Sequence, residues 1–411
     1  MPHDGPHDHD PGHDPVLNMR PRRRHIGAAG HLDPALPQRL KDMLEGGKAA
    51  TAAPFVGVTT DDTPRPGLFP RHRAGVSLAP MVAAAETFLA GLTPAERETA
   101  SFTIDSEAWR QWSNIHPYLM RHGVSLRDLT DRQRAAALAV VRESLSAGGF
   151  TTARDVMKLN EHIRELTGRD EEYGEWYYWL SIFGTPSETD PWGWQIDGHH
   201  LIINCFALGD QLILTPQFLG SEPVVAQSGS YAGTRVFAEE EARGFALMAA
   251  LSPAQQAEAT IGQDLPIEIF AAAYRDNLTL EHQGIRYDRL NPPQQALLLD
   301  LIRVYTDRIR PGHAEIRLEE VKAHLPETWF AWIGPCDATS PFYYRVHSPV
   351  ILIEFDHQRG IALDNDEPSR NHIHTVVRTP NGNDYGKDLL AQHYRDHDHA
   401  HPHSPHRRGL E

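Results

Sequence analysis

The sequence predicts an α+β protein made of two related halves. Amphipathic stretches with clear start signals predict helices, and aromatic, β-branched runs predict buried strands. Both patterns return in the same order after about 150 to 165 residues. We therefore expect an internal duplication in which each half holds helices and an antiparallel β-hairpin. The two halves would form one compact unit around a shared mixed or antiparallel sheet.

Helix starts occur at matching places in the two halves. Two short and two longer amphipathic segments each begin with a hydroxyl or amide N-cap, followed in three cases by proline. They are LTPAE (92–96), LSPAQ (251–255), LTDRQ (129–133) and LNPPQ (290–294). Glycines at 148–149 and Pro-Gly at 311–312 predict where the two longer helices end.

Strand patterns follow the helices in the same order. The matched segments are WYYWL (176–180) with WFAWI (329–333), WGWQI (192–196) with FYYRV (342–346), LIIN (201–204) with ILIE (351–354), and LILTP (212–216) with VVRTP (376–380). Recurrent helix caps and a common strand composition are the alternative explanation for these matches.

Composition divides the chain into five segments. Residues 1–30 and 393–411 are rich in His, Asp and Pro, and we expect disordered tails there, either capturing metal loosely or simply solvated. Residues 31–80 are expected to form an irregular N-terminal extension. Residues 81–235 and 236–392 are the two expected half-repeats.

Charge and cysteine content limit the function classes. The chain has 411 residues and a net charge of −16 with His neutral, which argues against a nucleic-acid partner. No stretch approaches the roughly 20 apolar residues that span a bilayer, and no signal peptide is evident. Its two cysteines, Cys205 and Cys336, form no CxxC motif, and we expect a cytoplasmic protein with a small-molecule substrate. The sequence does not indicate the oligomeric state.

Histidines and carboxylates inside two strand-like segments predict a metal site. His372 and His374 are two apart, so a strand directs both rings to one face. His199, His200 and Glu354 also lie in apolar surroundings, where a polar group is costly unless it is paired or bound to metal. This donor set suits Zn, Fe, Mn or Cu. A hydrogen-bonded structural network is the alternative.

Only one of the adjacent histidines is expected to be a direct ligand, since neighbours on a strand face opposite sides. His200 shares a face with Ile202 and Asn204, which favours His200, but a bulge at Gly198 would favour His199 instead. Placing the site between the halves would combine one of them with Glu354 and the His-x-His pair.

Other polar groups are candidates for substrate binding or proton transfer. Arg378 and Arg345 can pair with a carboxylate. Asp384 and Tyr385 lie in a loop rich in turn residues and can act as acid or base, although a structural loop is the alternative. His347 and His357 are expected at the surface.

The motifs WGWQIDGHHLIIN, LTPQFLGSEP, IEFD, HIHTVVRTP and NDYGKDLLAQHY together resemble the uncharacterised family known as domain of unknown function 3500. The resemblance covers about residues 81–393. It carries no established activity, but it implies a site neighbourhood around the matched residues. These are Trp194, Gly198, His199, His200, Glu354, His372, His374, Arg378, Asp384 and Tyr385.

The expected function is a metal-dependent enzyme acting on a small polar molecule, most simply a hydrolase. His200, Glu354, His372 and His374 would bind the metal. Arg378, Arg345 and Trp194 would contact substrate, and Asp384 or Tyr385 would transfer protons. A mononuclear Fe or Cu oxidoreductase with the same ligands is one alternative, and a non-catalytic metal or small-molecule binding protein is another.

Overall fold

One wide sheet forms the centre of the molecule, seen in a computed structural model that describes residues 38–114 and 121–396. The expected N-terminal tail lies outside these residues, as does the C-terminal tail beyond residue 396. Residues 393–396 belong to the last helix. Within its described residues, 38–80, the segment expected to be irregular contains a helix over residues 38–52 and the first two residues of the helix that begins at Ala79.

The described residues form ten α-helices and 13 strands. The helices are α1 Gln38–Ala52, α2 Ala79–Gly91, α3 Pro94–Ala100, α4 Asp131–Ser144, α5 Ala147–Thr167, α6 Ala238–Ala249, α7 Pro253–Ala259, α8 Pro292–Thr306, α9 His313–Ala323 and α10 Lys387–Asp396. The strands are β1 Ser101–Phe102, β2 Val124–Ser125, β3 Tyr178–Gly184, β4 Trp192–Gly198, β5 Leu201–Leu208, β6 Gln211–Ile213, β7 Gln217–Ser221, β8 Thr260–Gly262, β9 Ile285–Arg286, β10 Trp329–Ile333, β11 Tyr343–His347, β12 Leu352–Arg359 and β13 Pro368–Arg378. Among the described residues, no helix has the length and apolar content needed to cross a membrane.

The strand order is β1-β3-β4-β5-β7-β13-β12-β11-β10-β8, with β2 on β3, β6 on β5 and β9 on β10. The pairs β1–β3 and β8–β10 are parallel and the other pairs are antiparallel. The mixed α+β class expected from the sequence is therefore confirmed. Strands β7 and β13 pair at the centre, so a single sheet runs through both halves of the chain.

The helix starts predicted from capping signals are confirmed. Thr93, Thr130, Ser252 and Asn291 each accept a hydrogen bond from the third helical residue in a capping box. The glycines at 148–149 do not end a helix, however, but lie in the first turn of α5. A Cβ on Gly149 would lie 2.3 Å from the carbonyl oxygen of Arg308, so this close approach requires glycine.

The two faces of the sheet are covered differently. Residues such as Ile353 and Phe355 point toward helices α2, α4, α5, α6 and α8 and form the larger apolar core with them. Their neighbour Leu352 faces a smaller core, which is closed by segments lacking long helices, around residues 53–62, 104–112, 262–284 and 379–386. We call this second side the loop-covered face. By strand alternation it also carries Glu354 and the His-x-His pair of β13.

The prediction that His347 and His357 lie at the surface is wrong. They are 2% and 0% exposed. The His357 ring contacts the carboxylate of Glu241 at 2.9 Å, and Arg370 donates to the same oxygen. Burial acts to raise the pKa of Glu241, but these two partners lower it to about 2. The partner comes from α6, far away in sequence, so the local pattern could not indicate it.

Candidate metal centre

Three imidazoles converge on the loop-covered face. The Nε2 atom of His200 lies 3.2 Å from that of His372 and 3.1 Å from that of His374, and the last two are 3.0 Å apart. All three side chains are buried. They form a group able to hold a metal ion, which we call the three-histidine group.

Two chain segments from opposite halves build this group. His372 and His374 alternate along β13 and share one face, as their spacing predicts. His200 lies in the turn between β4 and β5 with a left-handed φ of 62°. Its backbone N–H donates to the Asn114 carbonyl at 3.3 Å, and its own carbonyl accepts from Gly220 at 2.8 Å. Strand β7, which contains Gly220, thus ties the turn to β13.

The outer ring nitrogens have partners that orient the inner ones. The Nδ1 atom of His372 lies 2.7 Å from the carbonyl oxygen of Arg359. A carbonyl can only accept, so Nδ1 carries the proton and Nε2 of the neutral ring has a lone pair. The Nδ1 atom of His374 faces the Glu268 carboxylate at 2.7 Å, with the same consequence. Partners of this kind typically orient metal-binding histidines.

Two lone pairs therefore face each other at 3.0 Å between His372 and His374. In this neutral state of both rings the lone pairs repel each other, and burial lowers the pKa of His372 to about 4, which disfavours protonation of that ring at neutral pH. A cation bound by all three nitrogens turns the repulsion into attraction. The chemistry of the donor set thus fits a transition metal.

His199 supports the group without joining it. Its ring stacks on that of His200 with centroids 3.9 Å apart, and its Nδ1 atom lies 2.8 Å from Asn160 Oδ1. Tyr178 donates a further hydrogen bond to the His199 carbonyl at 3.0 Å. The structure thus brings His200 to the group through its left-handed turn rather than through strand alternation.

Three carboxyl groups that sequence reasoning did not select surround the histidines. Glu268 accepts from His374; burial acts to raise its pKa, but its interaction with the His374 ring lowers it. Asp356 lies opposite His374 on β12, and burial with the charges of Glu268 and Glu354 raises its pKa. Glu222 lies 3.7 Å from His372 Nδ1. Only Asp356 had a signal, its two-residue spacing from Glu354, because the others come from distant segments.

Glu354 does not join the three-histidine group. Its carboxylate accepts from the backbone N–H groups of Phe270 and Ala271, both at 2.8 Å, and from the Tyr343 hydroxyl at 2.7 Å. In the strand pairing it lies opposite Val376. Val376 is two residues beyond His374, a distance of about 7 Å along β13. Its contacts attach the 262–284 segment to the sheet.

Arg378, Asp384 and Tyr385 form a separate buried cluster. Arg378 is four residues beyond His374, about 13 Å along β13. Its Nη1 donates to Asp276 at 2.9 Å and to Asp384 at 3.1 Å, and Tyr385 donates to Asp276 at 3.0 Å. Burial raises the pKa of Asp384 to about 6 against the opposing charge of Arg378. The structure does not bring these predicted substrate and proton-transfer residues to the histidines.

The other two predicted substrate contacts lie on different sides of the sheet. Trp194 belongs to the helix-side core, where its Nε1 donates to Ser144 at 3.0 Å. Arg345 lies on the loop-covered face opposite Glu354, and its Nη2 donates to Gln283 at 3.0 Å. The sheet therefore separates Trp194 from the three-histidine group.

The fold and the site define an α+β protein with a buried three-histidine group that could hold a metal ion. A family model described as a protein of unknown function (DUF3500) matches residues 74–387, and the chain belongs to this family. The resemblance noted in the sequence is thus confirmed. No curated protein and no solved structure matches the chain.

Proposed function

We propose that the three-histidine group binds one divalent transition metal and that the protein is a metal-dependent hydrolase of a small polar molecule. The observation that carries the proposal is the convergence of three buried Nε2 atoms within 3.0–3.2 Å of one another. In the neutral rings of His372 and His374 the Nε2 atoms direct lone pairs inward, because Nδ1 carries the proton. The cytoplasmic location and the small-molecule substrate remain part of this proposal.

The spacing of the nitrogens supports metal binding. Imidazole nitrogens bind zinc at about 2.0–2.1 Å, which in a tetrahedron separates them by about 3.3 Å. The observed separations of 3.0–3.2 Å fall short of this value by about 0.1 to 0.3 Å. Small movements of the three rings would therefore bring the nitrogens to the separations of a tetrahedral zinc site.

The ligand types favour hydrolysis over the iron alternative. Three histidines with one open position are typical of zinc enzymes that activate water, whereas non-haem iron oxygenases use two histidines and one carboxylate. Glu354, the predicted carboxylate ligand, is engaged with the 262–284 segment. A bound zinc ion would lower the pKa of water toward about 7 and polarise a scissile carbonyl.

The surrounding residues have distinct parts in this proposal. Glu268 fixes the orientation of the His374 ring, and the Arg359 carbonyl that of the His372 ring, each by accepting a hydrogen bond from Nδ1. Asp356 lies directly across from His374, and its Oδ1 atom is buried without a hydrogen-bond partner among the described residues. We assign to Asp356 the role of orienting the substrate or the attacking water, in place of Asp384.

A copper or iron oxidoreductase is the second candidate. An octahedral site with bonds of about 2.1 Å places neighbouring nitrogens about 3.0 Å apart, which the His372–His374 separation of 3.0 Å also matches. Metal identity and oxygen consumption separate this candidate from the hydrolase. A closed site with no position for water or substrate would instead indicate a metal-binding protein.

Metal analysis of the full chain tests the proposal. Wild type and the double variant His372→Ala, His374→Ala carry the same His-rich ends, so the difference between them reports the interior site. His162→Gln is the matched control, since it removes a buried imidazole outside the group. We expect about one metal ion fewer in the double variant and no change in the control. Equal metal content in all three folded proteins would refute the site, and the element found selects hydrolytic or oxidative assays.

We also infer that the halves arose by duplication. Strands β1 and β2 contact β3 as β8 and β9 contact β10. The register supports this inference with a three-residue shift from the sequence match of 176–180 with 329–333. Trp179, rather than Trp176, takes the place of Trp329: Trp179 lies opposite Asp197 in β3–β4, and Trp329 lies opposite His347 in β10–β11. In an experimental structure, superposition of the halves should match these pairs, and a different set of matched residues would contradict a duplication.

A further inference from the structure

A second polar cluster lies on the loop-covered face, within the second half. Arg345 and His347 belong to β11, and His282 approaches them from the 262–284 segment. The His282 and His347 rings have centroids 4.5 Å apart, and His282 stacks on Trp329 at 4.0 Å. Gln283 accepts from Arg345 at 3.0 Å. We call these residues the Arg345 cluster.

Several nitrogens in this cluster lack partners. Arg345 is 1% exposed, yet its Nε and Nη1 atoms have no acceptor among the described residues. His282 Nε2 and His347 Nδ1 are likewise buried without a partner in that part of the chain. Leaving a buried guanidinium with unsatisfied donors is costly, because the group loses its hydration without replacement.

The neighbouring carboxylates do not satisfy these donors. Glu354 is opposite Arg345 in the register, but it accepts from Tyr343 and from two backbone N–H groups. Glu327, which acts electrostatically on His282, is engaged with Arg65 at 2.6 Å. The Arg345 cluster therefore presents several hydrogen-bond donors, and no carboxylate in the described part of the chain is bonded to them.

The corresponding place in the first half contains an ion pair. Arg121 lies over the Trp179 ring at 5.1 Å and donates to the Asp197 carboxylate at 2.5 Å. Trp179 is opposite Asp197, just as Trp329 is opposite His347. In the second half, Trp329 provides the aromatic ring and His282 the nitrogen-bearing group stacked on it. His347, however, provides an imidazole where the first half has the carboxylate of Asp197.

We propose that the Arg345 cluster binds a small carboxylate ion, which supplies the negative group that Asp197 supplies in the first half. The ion would accept from Arg345 and from the imidazoles of His282 and His347. The path of the ion from solvent to the cluster is short, because His282 is partly exposed and Gln283 is exposed at the surface. This site is separate from the three-histidine group and does not depend on a metal.

Thermal unfolding of the full chain in sodium acetate tests this site, with sodium chloride at equal ionic strength as reference. We expect Tm to rise with the logarithm of the acetate concentration above Kd, by about 3 °C at 100 times Kd. Arg345→Gln should lose this response. His347→Asp should also lose it, because the new carboxylate occupies the place of the ion, and its Tm without acetate should be at least that of wild type.

Arg289→Gln is the matched control, since it removes an exposed arginine outside the cluster and should keep the acetate response. An equal response to chloride and acetate would contradict a carboxylate site. Wild type without any rise in Tm specific to acetate would overturn the proposal and leave water as the partner of these nitrogens. If Arg345→Gln fails to fold, His282→Gln replaces it, and an undiminished acetate response in that variant would also count against the site.

Discussion

Gly220→Ala should disrupt the three-histidine group without removing any of its imidazoles. Gly220 lies opposite His374 in β7, and a Cβ there would be 2.9 Å from His374 Cδ2 and 3.0 Å from His200 Cδ2. Carbon atoms in ordinary contact are about 3.5 Å apart or more, so each ring must move by about 0.5 Å. The distances between a metal and its ligands vary by only about 0.2 Å in functional sites.

The backbone limits how this strain is relieved. The same Cβ would lie 2.8 Å from the carbonyl oxygen of Ile373, which is held in the central strand pairing. We expect metal affinity to fall about 10- to 100-fold, or about 1.4 to 2.7 kcal/mol. The overpacking should also reduce the free energy of unfolding by about 1 to 3 kcal/mol.

Competition with a chromophoric chelator measures the affinity, and circular dichroism confirms that the variant is folded. Gly262→Ala is the matched control, because its Cβ would be 3.5 Å from Ile333, an ordinary contact distance. That variant should bind metal as wild type does. A folded Gly220→Ala protein with wild-type affinity would refute the assignment of the three histidines as ligands.

Three other outcomes are expected. Glu268→Gln removes the carboxylate that orients the His374 ring and should weaken metal binding about 10- to 100-fold in the same chelator assay; an unchanged affinity would contradict this. Trp194→Phe leaves Ser144 without its indole donor and should cost about 1 to 3 kcal/mol in urea unfolding, with metal affinity unchanged; weaker metal binding would contradict the separation of Trp194 from the site. Glu241 has a pKa of about 2 in the folded protein against an ordinary value of 4.5, so its contribution of about 3 kcal/mol is complete above pH 4.5 and lost as the pH falls toward 2. Glu241→Gln should flatten this acid limb of the stability profile, and an unchanged slope would count against the ion pairs as its cause.

Features set by a few adjacent residues were predictable. The capping boxes at Thr93 and Thr130 depend on side chains three residues apart, and the shared face of His372 and His374 depends on strand alternation. Helix starts and two of the three histidines of the candidate site therefore followed from local pattern. The mixed α+β class followed from the same evidence.

Features set by register or by distant segments were not predictable. Glu354 was predicted as a ligand because it is a carboxylate in apolar surroundings, but the pairing of β12 with β13 places it opposite Val376 rather than His374. Glu268 reaches His374 from a segment 106 residues away. His357 is buried because α6 brings Glu241 to it. Such pairings between distant segments cannot be inferred from a single sequence.

The central pairing of β7 with β13 leaves neither half of the chain with a finished sheet of its own. Separated at this seam, each half would expose a strand whose N–H and C=O groups are open to pairing with other chains. Apolar residues such as Phe218 and Val376 would be uncovered at the same place. In the intact chain, each half therefore shields the other from edge-to-edge aggregation, and residues 81–235 or 236–392 expressed alone should be insoluble.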